Sequence, residues 1–147
     1  MTLFEALVSE LAAATGLPLE PDARDACSLE TDGLIVTLQY RREHDEVALF
    51  APVTEPGVDL PPETLRKALT LACNGAGTRG AYLGLFDGVL LLSTFTPLEG
   101  LTAETLAGRI LALADTALAV RESLAGSVTE PAEGGVPSGE PSFFLQA

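Results

Sequence analysis

Residues 81–96 read AYLGLFDGVLLLSTFT, and this stretch decides the fold. Asp87-Gly88 between two apolar runs predicts a β-hairpin, because a two-residue turn needs left-handed backbone at both central positions and Asp-Gly tolerates it. The arms are Ala81 to Phe86 and Val89 to Thr96. Neither arm alternates apolar with polar. Tyr82 and Phe86 oppose Leu83 and Leu85 on the first, and Leu90 and Leu92 oppose Val89, Leu91 and Phe95 on the second. A sheet with two apolar faces needs cover on both. Helices are expected on one side, and helices or a second subunit on the other.

Working outward, the same period of two marks three upstream strands. Ala26 to Thr31 is short. Leu34, Val36, Leu38 and Tyr40 alternate with Ile35, Thr37 and Gln39, and Val47, Leu49, Ala51 and Val53 alternate with Ala48 and Phe50. Asp32-Gly33 supplies a tight turn between the first two, and Arg42 to Glu46 a charged loop between the second and third. Ile35, Ala48 and Phe50 then fall on the outer sheet face.

Helical spacing accounts for three further stretches. Thr2 to Thr15 opens with the T-x-x-E spacing of a capping box, Thr2 with Glu5, and is stopped by Gly16 and Pro18. Its stripe of Leu3, Leu7 and Leu11 is widened by Phe4 and Val8, and the extra width is expected to be a docking surface. A second helix starts at Pro61 or Pro62, where a missing amide does no harm, and runs to Asn74 on a stripe of Leu65, Ala68, Leu69 and Ala72. A third, capped by Thr102, carries Leu106, Ile110, Leu113, Ala117 and Leu124 on one stripe and ends at Gly126. The expectation is an α+β fold, an antiparallel sheet packed with helices in the order α-β-β-β-α-β-β-α. Residues 1–125 form the domain, and 126–147 an acidic tail rich in Gly, Pro and Ser. That tail ends in Phe143-Phe144-Leu145, a cluster able to dock in a groove.

Composition narrows the function. The chain is 47% apolar, carries 21 acidic against 8 basic residues, and has one histidine, two cysteines and no tryptophan. Scattered cations cannot neutralise a phosphate backbone, which argues against nucleic acid. No run approaches the 18 or more apolar residues of a membrane helix, and MTLFEALVSE has no basic residue of a secretory leader, so the cytoplasm is expected. Gly75-Ala-Gly77-Thr-Arg-Gly80 matches a dinucleotide fingerprint in letters, but a helix precedes it and a strand follows, the reverse of what pyrophosphate binding needs. Glu43-His44-Asp45-Glu46 reads as a solvated turn. There is no phosphate-cradling loop, nucleophile elbow or paired-cysteine spacing. No cofactor, no metal and no enzymatic activity are expected. Cys27 and Cys73 read as free thiols.

The order of elements, together with GLPLEPDARDACSLETDG, VALFAPV, LRKALTLACN and GAYLGLFDGVLLLSTFTPLEGLTAETLAGRILAL, resembles the class I type III secretion chaperones, the Tir-chaperone (CesT-like) family, over about residues 2–124. The resemblance implies a cytoplasmic homodimer without catalysis. It would hold the amino-terminal segment of a secreted effector protein soluble and secretion-competent and present it to the export machinery, the secretion-system ATPase included. It also implies a client surface on the first helix and first three strands (Phe4, Leu7, Leu11, Ile35, Ala48, Phe50) and a dimer interface on the middle helix and last hairpin (Leu65, Leu69, Leu83, Leu91). The alternative is a dimeric scaffold of similar shape outside secretion, YbjN-like or roadblock-like.

Overall fold

Two Asp-Gly pairs do what the sequence asks of them. Asp32 (φ 53°) with Gly33 (φ 79°), and Asp87 (φ 54°) with Gly88 (φ 78°), are left-handed at both positions. Such turns match the twist of the strands they join and fix their register. The structure is a computed structural model and describes residues 1–129, with side chains to residue 125. The tail cluster Phe143-Phe144-Leu145 lies outside the described residues.

The chain runs α1 (Leu3–Thr15), β1 (Ala26–Thr31), β2 (Leu34–Arg41), β3 (Glu46–Pro52), α2 (Pro62–Ala72), β4 (Tyr82–Phe86), β5 (Val89–Pro97) and α3 (Ala103–Thr129), with a 3₁₀ turn at Cys73–Gly75. The strands form one antiparallel sheet in the order β1-β2-β3-β5-β4. The expected α+β fold and element order are therefore present. β1 and β4 are its edges.

Local chemistry explains the helix ends. The Thr2 hydroxyl accepts from the Glu5 amide at 3.0 Å while the Glu5 carboxylate accepts from the Thr2 amide at 3.1 Å, so two amides of the first turn of α1 are satisfied reciprocally. Gly16 closes α1 in the left-handed conformation, its amide bonding the Ala12 carbonyl. Thr102 accepts from the Thr105 amide at 3.1 Å to start α3. One boundary differs from expectation. Gly126 does not end α3, which continues to Thr129; a glycine lowers helix propensity by only about 1 kcal/mol relative to Ala, too little to break a helix already about six turns long.

All three helices lie on one face of the sheet. α3 runs between α1 and α2 and packs on both, and it reaches β2, β3 and β5 below. The core sits in this layer. Leu34, Val36 and Leu38 of β2, Val47, Leu49 and Ala51 of β3, and Leu90 and Leu92 of β5 meet Leu106, Ile110, Leu113, Ala117, Val120 and Leu124 of α3. Burying such side chains is worth about 1.5–3 kcal/mol each, which makes this layer the main source of stability.

Candidate functional site

Among the described residues, the other face of the sheet carries no helix. Register places Ile35, Thr37 and Gln39 of β2 in line with Ala48, Phe50 and Pro52 of β3, then with Leu91, Ser93 and Phe95 of β5, and finally Tyr82, Gly84 and Phe86 of β4. Across it runs an open trough of about 1010 Å³, floored by Ile35, Phe50, Pro52 and Leu91. Its walls come from residues 54–56, the β4–β5 turn and Arg121 of α3. The Arg121 guanidinium donates to Glu55 Oε2 at 3.0 Å and so ties the last helix to the trough rim. The floor is mixed in chemistry: Thr37 and Ser93 flank Phe50 across the sheet, and these two with Gln39 and Thr54 offer hydrogen bonds among the apolar side chains.

Aromatic side chains hold the middle of this face. Phe95 meets Phe50 edge-on at 6.5 Å and Tyr82 at 5.8 Å, and the Arg41 guanidinium lies 4.9 Å from the Phe95 ring centroid. Such contacts fix the rings in place before any ligand arrives. Beyond Phe50 the face continues into a second hollow holding Arg24, Arg41 and Arg42. Arg41 pairs with Glu46 at 3.3 Å and Arg42 with Asp25 at 3.0 Å. Tyr40, at the same end, donates its hydroxyl to Asp45 Oδ1 at 2.7 Å, and that bond raises the phenol above its ordinary pKa. The loop of Glu43 to Glu46 is thus an electrostatically tied turn, with His44 exposed.

The structure divides the residues singled out from the sequence. Ile35 is 54% exposed and Phe50 half-buried, and both line the trough. Phe4, Leu7 and Leu11 are instead core residues, at most 5% exposed. The docking stripe expected on α1 is therefore corrected. Phe4 stacks on Tyr40 with centroids 5.6 Å apart, so a side chain from β2 uses up the extra width, and it is Leu3 that faces water. Ala48 does sit on the outer face, but as a small residue between Gln39 and Phe95 it is fully covered by its neighbours. Among the residues expected at a dimer interface, Leu69 is 73% exposed on α2. Leu65 and Leu83 are partly buried against the core. Leu91 lines the trough on the opposite face, so the structure does not bring it together with Leu69. Tyr82, Leu85 and Phe86, the exposed apolar residues of β4, belong to the hairpin expected at an interface but are not among the residues singled out there; their signal is a strand with large apolar side chains on both faces.

The glycine cluster between α2 and β4 has a packing role. A Cβ on Gly77 would lie 2.7 Å from the Leu71 carbonyl oxygen and 2.8 Å from its side chain. The Gly77 amide donates to that same carbonyl at 2.8 Å and closes the end of α2. Thr78, fully buried, donates to the Ala81 carbonyl at 2.8 Å and leads the chain into β4. The amides of Gly77 and Gly80 are thus engaged with backbone carbonyls. Cys27 and Cys73 are free thiols. Among the described residues no group of three or more His, Cys, Asp or Glu is placed to hold a metal ion, and no helix is long and apolar enough to cross a membrane.

A five-stranded antiparallel sheet, helices on one face and an open apolar face on the other, defines the α+β class to which the type III secretion chaperones belong. Residues 6–121 match the model of the Tir chaperone protein (CesT) family, and the chain belongs to that family. Solved structures agree in fold. A chain of the HopA1-SchA chaperone-effector complex is similar with a TM-score of 0.64 at 24% identity, over 82% of this chain and 94% of that one. A chain of the ExsC-ExsE complex is similar at 0.65 and 22%, over 88% and 95%. YbjN from E. coli, described as a putative transcription regulator, is similar at 0.55 and 16%, over 80% and 88%. No curated protein matches the chain significantly in sequence.

Proposed function

We propose that this protein is a cytoplasmic secretion chaperone that holds the amino-terminal segment of a secreted effector in extended form along its bare sheet face. The observation that carries the reading is the trough itself: an open floor on which apolar Ile35, Phe50 and Leu91 are interspersed with hydrogen-bonding side chains. An extended segment exposes apolar side chains that such a floor can bury, and the entropy lost on ordering it calls for a long contact path. Edge strand β1, with one side unpaired in the sheet, can add backbone hydrogen bonds that tolerate many sequences. Chaperone–effector complexes among proteins of the same fold support the same reading. Nothing in the site calls for catalysis, and presentation to the export ATPase belongs to the same proposal.

A homodimer would form at the end of the molecule where α2 packs on β4. Leu69 at 73% and Leu85 at 58% exposure are large apolar side chains on those two adjacent elements, on the helical side of the sheet, and a second copy would cover them. Leu69→Asp would place a charge there without a partner and yield monomers in light scattering; an unchanged dimer would refute this interface. The client reading is tested by pull-down from the native host with mass spectrometry, followed by calorimetry on the captured segment with the unmodified protein and Phe50→Glu. Capture of a secreted protein, weakened by about 1–3 kcal/mol in the variant, is expected. The likeness to YbjN favours a second reading, a scaffold without secreted clients, and that reading gains if only resident complexes are captured.

A further inference from the structure

We propose that the chain's own segment Glu140–Leu145 docks on the outer sheet face and competes there with the client. The inference rests on the reading of that face as the client site. The first argument is chemical match. The trough has apolar Ile35, Phe50 and Leu91 on its floor, and beyond the described residues the chain has one aromatic cluster, Phe143-Phe144-Leu145.

The second argument is reach. α3 itself forms part of the trough wall through Arg121 and is described to Thr129. About fourteen residues separate Thr129 from Phe143, a span of up to ~46 Å when extended. Crossing the face from β2 to β4 takes three inter-strand steps, about 14–15 Å. The segment therefore starts near the face and reaches all of it.

The third argument is charge. Residues 130–147 contain Glu130, Glu133 and Glu140 and no Lys or Arg. The hollow beyond Phe50 gathers Arg24, Arg41 and Arg42, three of the chain's eight basic residues, against the two acids Asp25 and Glu43. Arg41 and Arg42 each share one carboxylate, Glu46 and Asp25 respectively, and a guanidinium with five N–H donors retains capacity for a second. The opposite end of the trough carries Glu55 and Asp87 with one cation, Arg121, already paired with Glu55. This gradient orients the segment with Glu140 toward the arginines and the aromatic pair over the floor. Tethering raises the local concentration of such a weak ligand to the millimolar range, so modest intrinsic affinity is enough.

The sequence offers a built-in reporter. It has two isoleucines, Ile35 on the trough floor and Ile110 in the core at 3% exposure. Methyl NMR on the full chain, ¹³C-labelled at isoleucine δ1, compares the unmodified protein with the triple variant F143S/F144S/L145S. The Ile35 resonance should move and the Ile110 resonance should stay, which also reports that the fold is intact. A synthetic peptide of residues 138–147, added to the variant, should bring Ile35 back toward its original position, and Glu140→Lys should weaken that return. If the segment occupies the face about nine-tenths of the time, the variant binds a purified client segment about tenfold more tightly. An Ile35 resonance unmoved by the triple substitution overturns the docking, whatever the client does. A resonance that moves with protein concentration and not with the substitutions assigns the face to a second copy and overturns it equally. A shifted Ile35 with unchanged client affinity overturns the competition and the placement of the client on this face, while the docking stands.

Discussion

The two faces of one sheet are built from nearly the same residue types and live in different environments. On the helical face Val36, Leu38, Val47, Leu49 and Leu92 are at most 1% exposed; on the other, Ile35 is 54% and Tyr82 67% exposed, although each sits one residue away from a buried or half-buried neighbour. The strands distinguish the faces only in part, through Thr37, Gln39 and Ser93 on the outer one. The main distinction comes from α3, which spreads over β2, β3 and β5 on one side only. An apolar face that the described residues leave uncovered lowers solubility and contributes nothing to their folding, so its retention points to a use in binding.

That contrast can be broken from either side. Leu49→Ala on the covered face removes a 1% exposed side chain from the middle of the core and should destabilise the fold by about 2–5 kcal/mol in urea or thermal unfolding. Phe50→Glu, the next residue along, should leave the unfolding free energy within about 0.5 kcal/mol while weakening client binding as stated above. Comparable unfolding losses at both positions would mean that the outer face is structural. Thr2→Ala removes one arm of the capping box on α1 and should lower stability by about 1 kcal/mol, with less helical signal.

A smaller effect separates the two thiols. Burial, with Asp22 adding a lesser push, raises the Cys27 thiol above its ordinary pKa of 9.0. At pH 8 Cys27 therefore holds less thiolate than an unperturbed thiol and should react with a disulfide reagent only after half-buried Cys73. Because its folded pKa lies above the unfolded one, its contribution to stability is fully present below the unfolded pKa. That contribution fades as pH rises through the folded value. Stability that instead grew with pH across that window would contradict a buried Cys27.

Much of this was legible in the chain, and for identifiable reasons. The caps at Thr2 and Gly16, the turns at Asp32-Gly33 and Asp87-Gly88, and the stripe of α3 are local interactions written in adjacent residues. What the sequence concealed was long-range. Period two puts Ile35 on the outer face, opposite Val36, but does not tell whether helices also cover that outer face. The width of the α1 stripe looked like a docking surface because its partner, Tyr40, lies some forty residues away in sequence. Ala48 was placed on the correct face, but only the flanking Gln39 and Phe95 reveal that so small a side chain is out of reach. Gly77 matched a nucleotide motif in letters, and the contact with Leu71 shows why a glycine is required there.

The position of α3 also bears on how the protein is made. Synthesis delivers α1, all five strands and α2 before the one helix that seals the core between them. Until Val120 and Leu124 have been added and have docked, a nascent chain would show apolar surface on both sides of its sheet, the state most prone to wrong associations. Folding is thereby postponed to the last part of translation. A ribosome that stalled before α3 would release a polypeptide in need of a holdase itself.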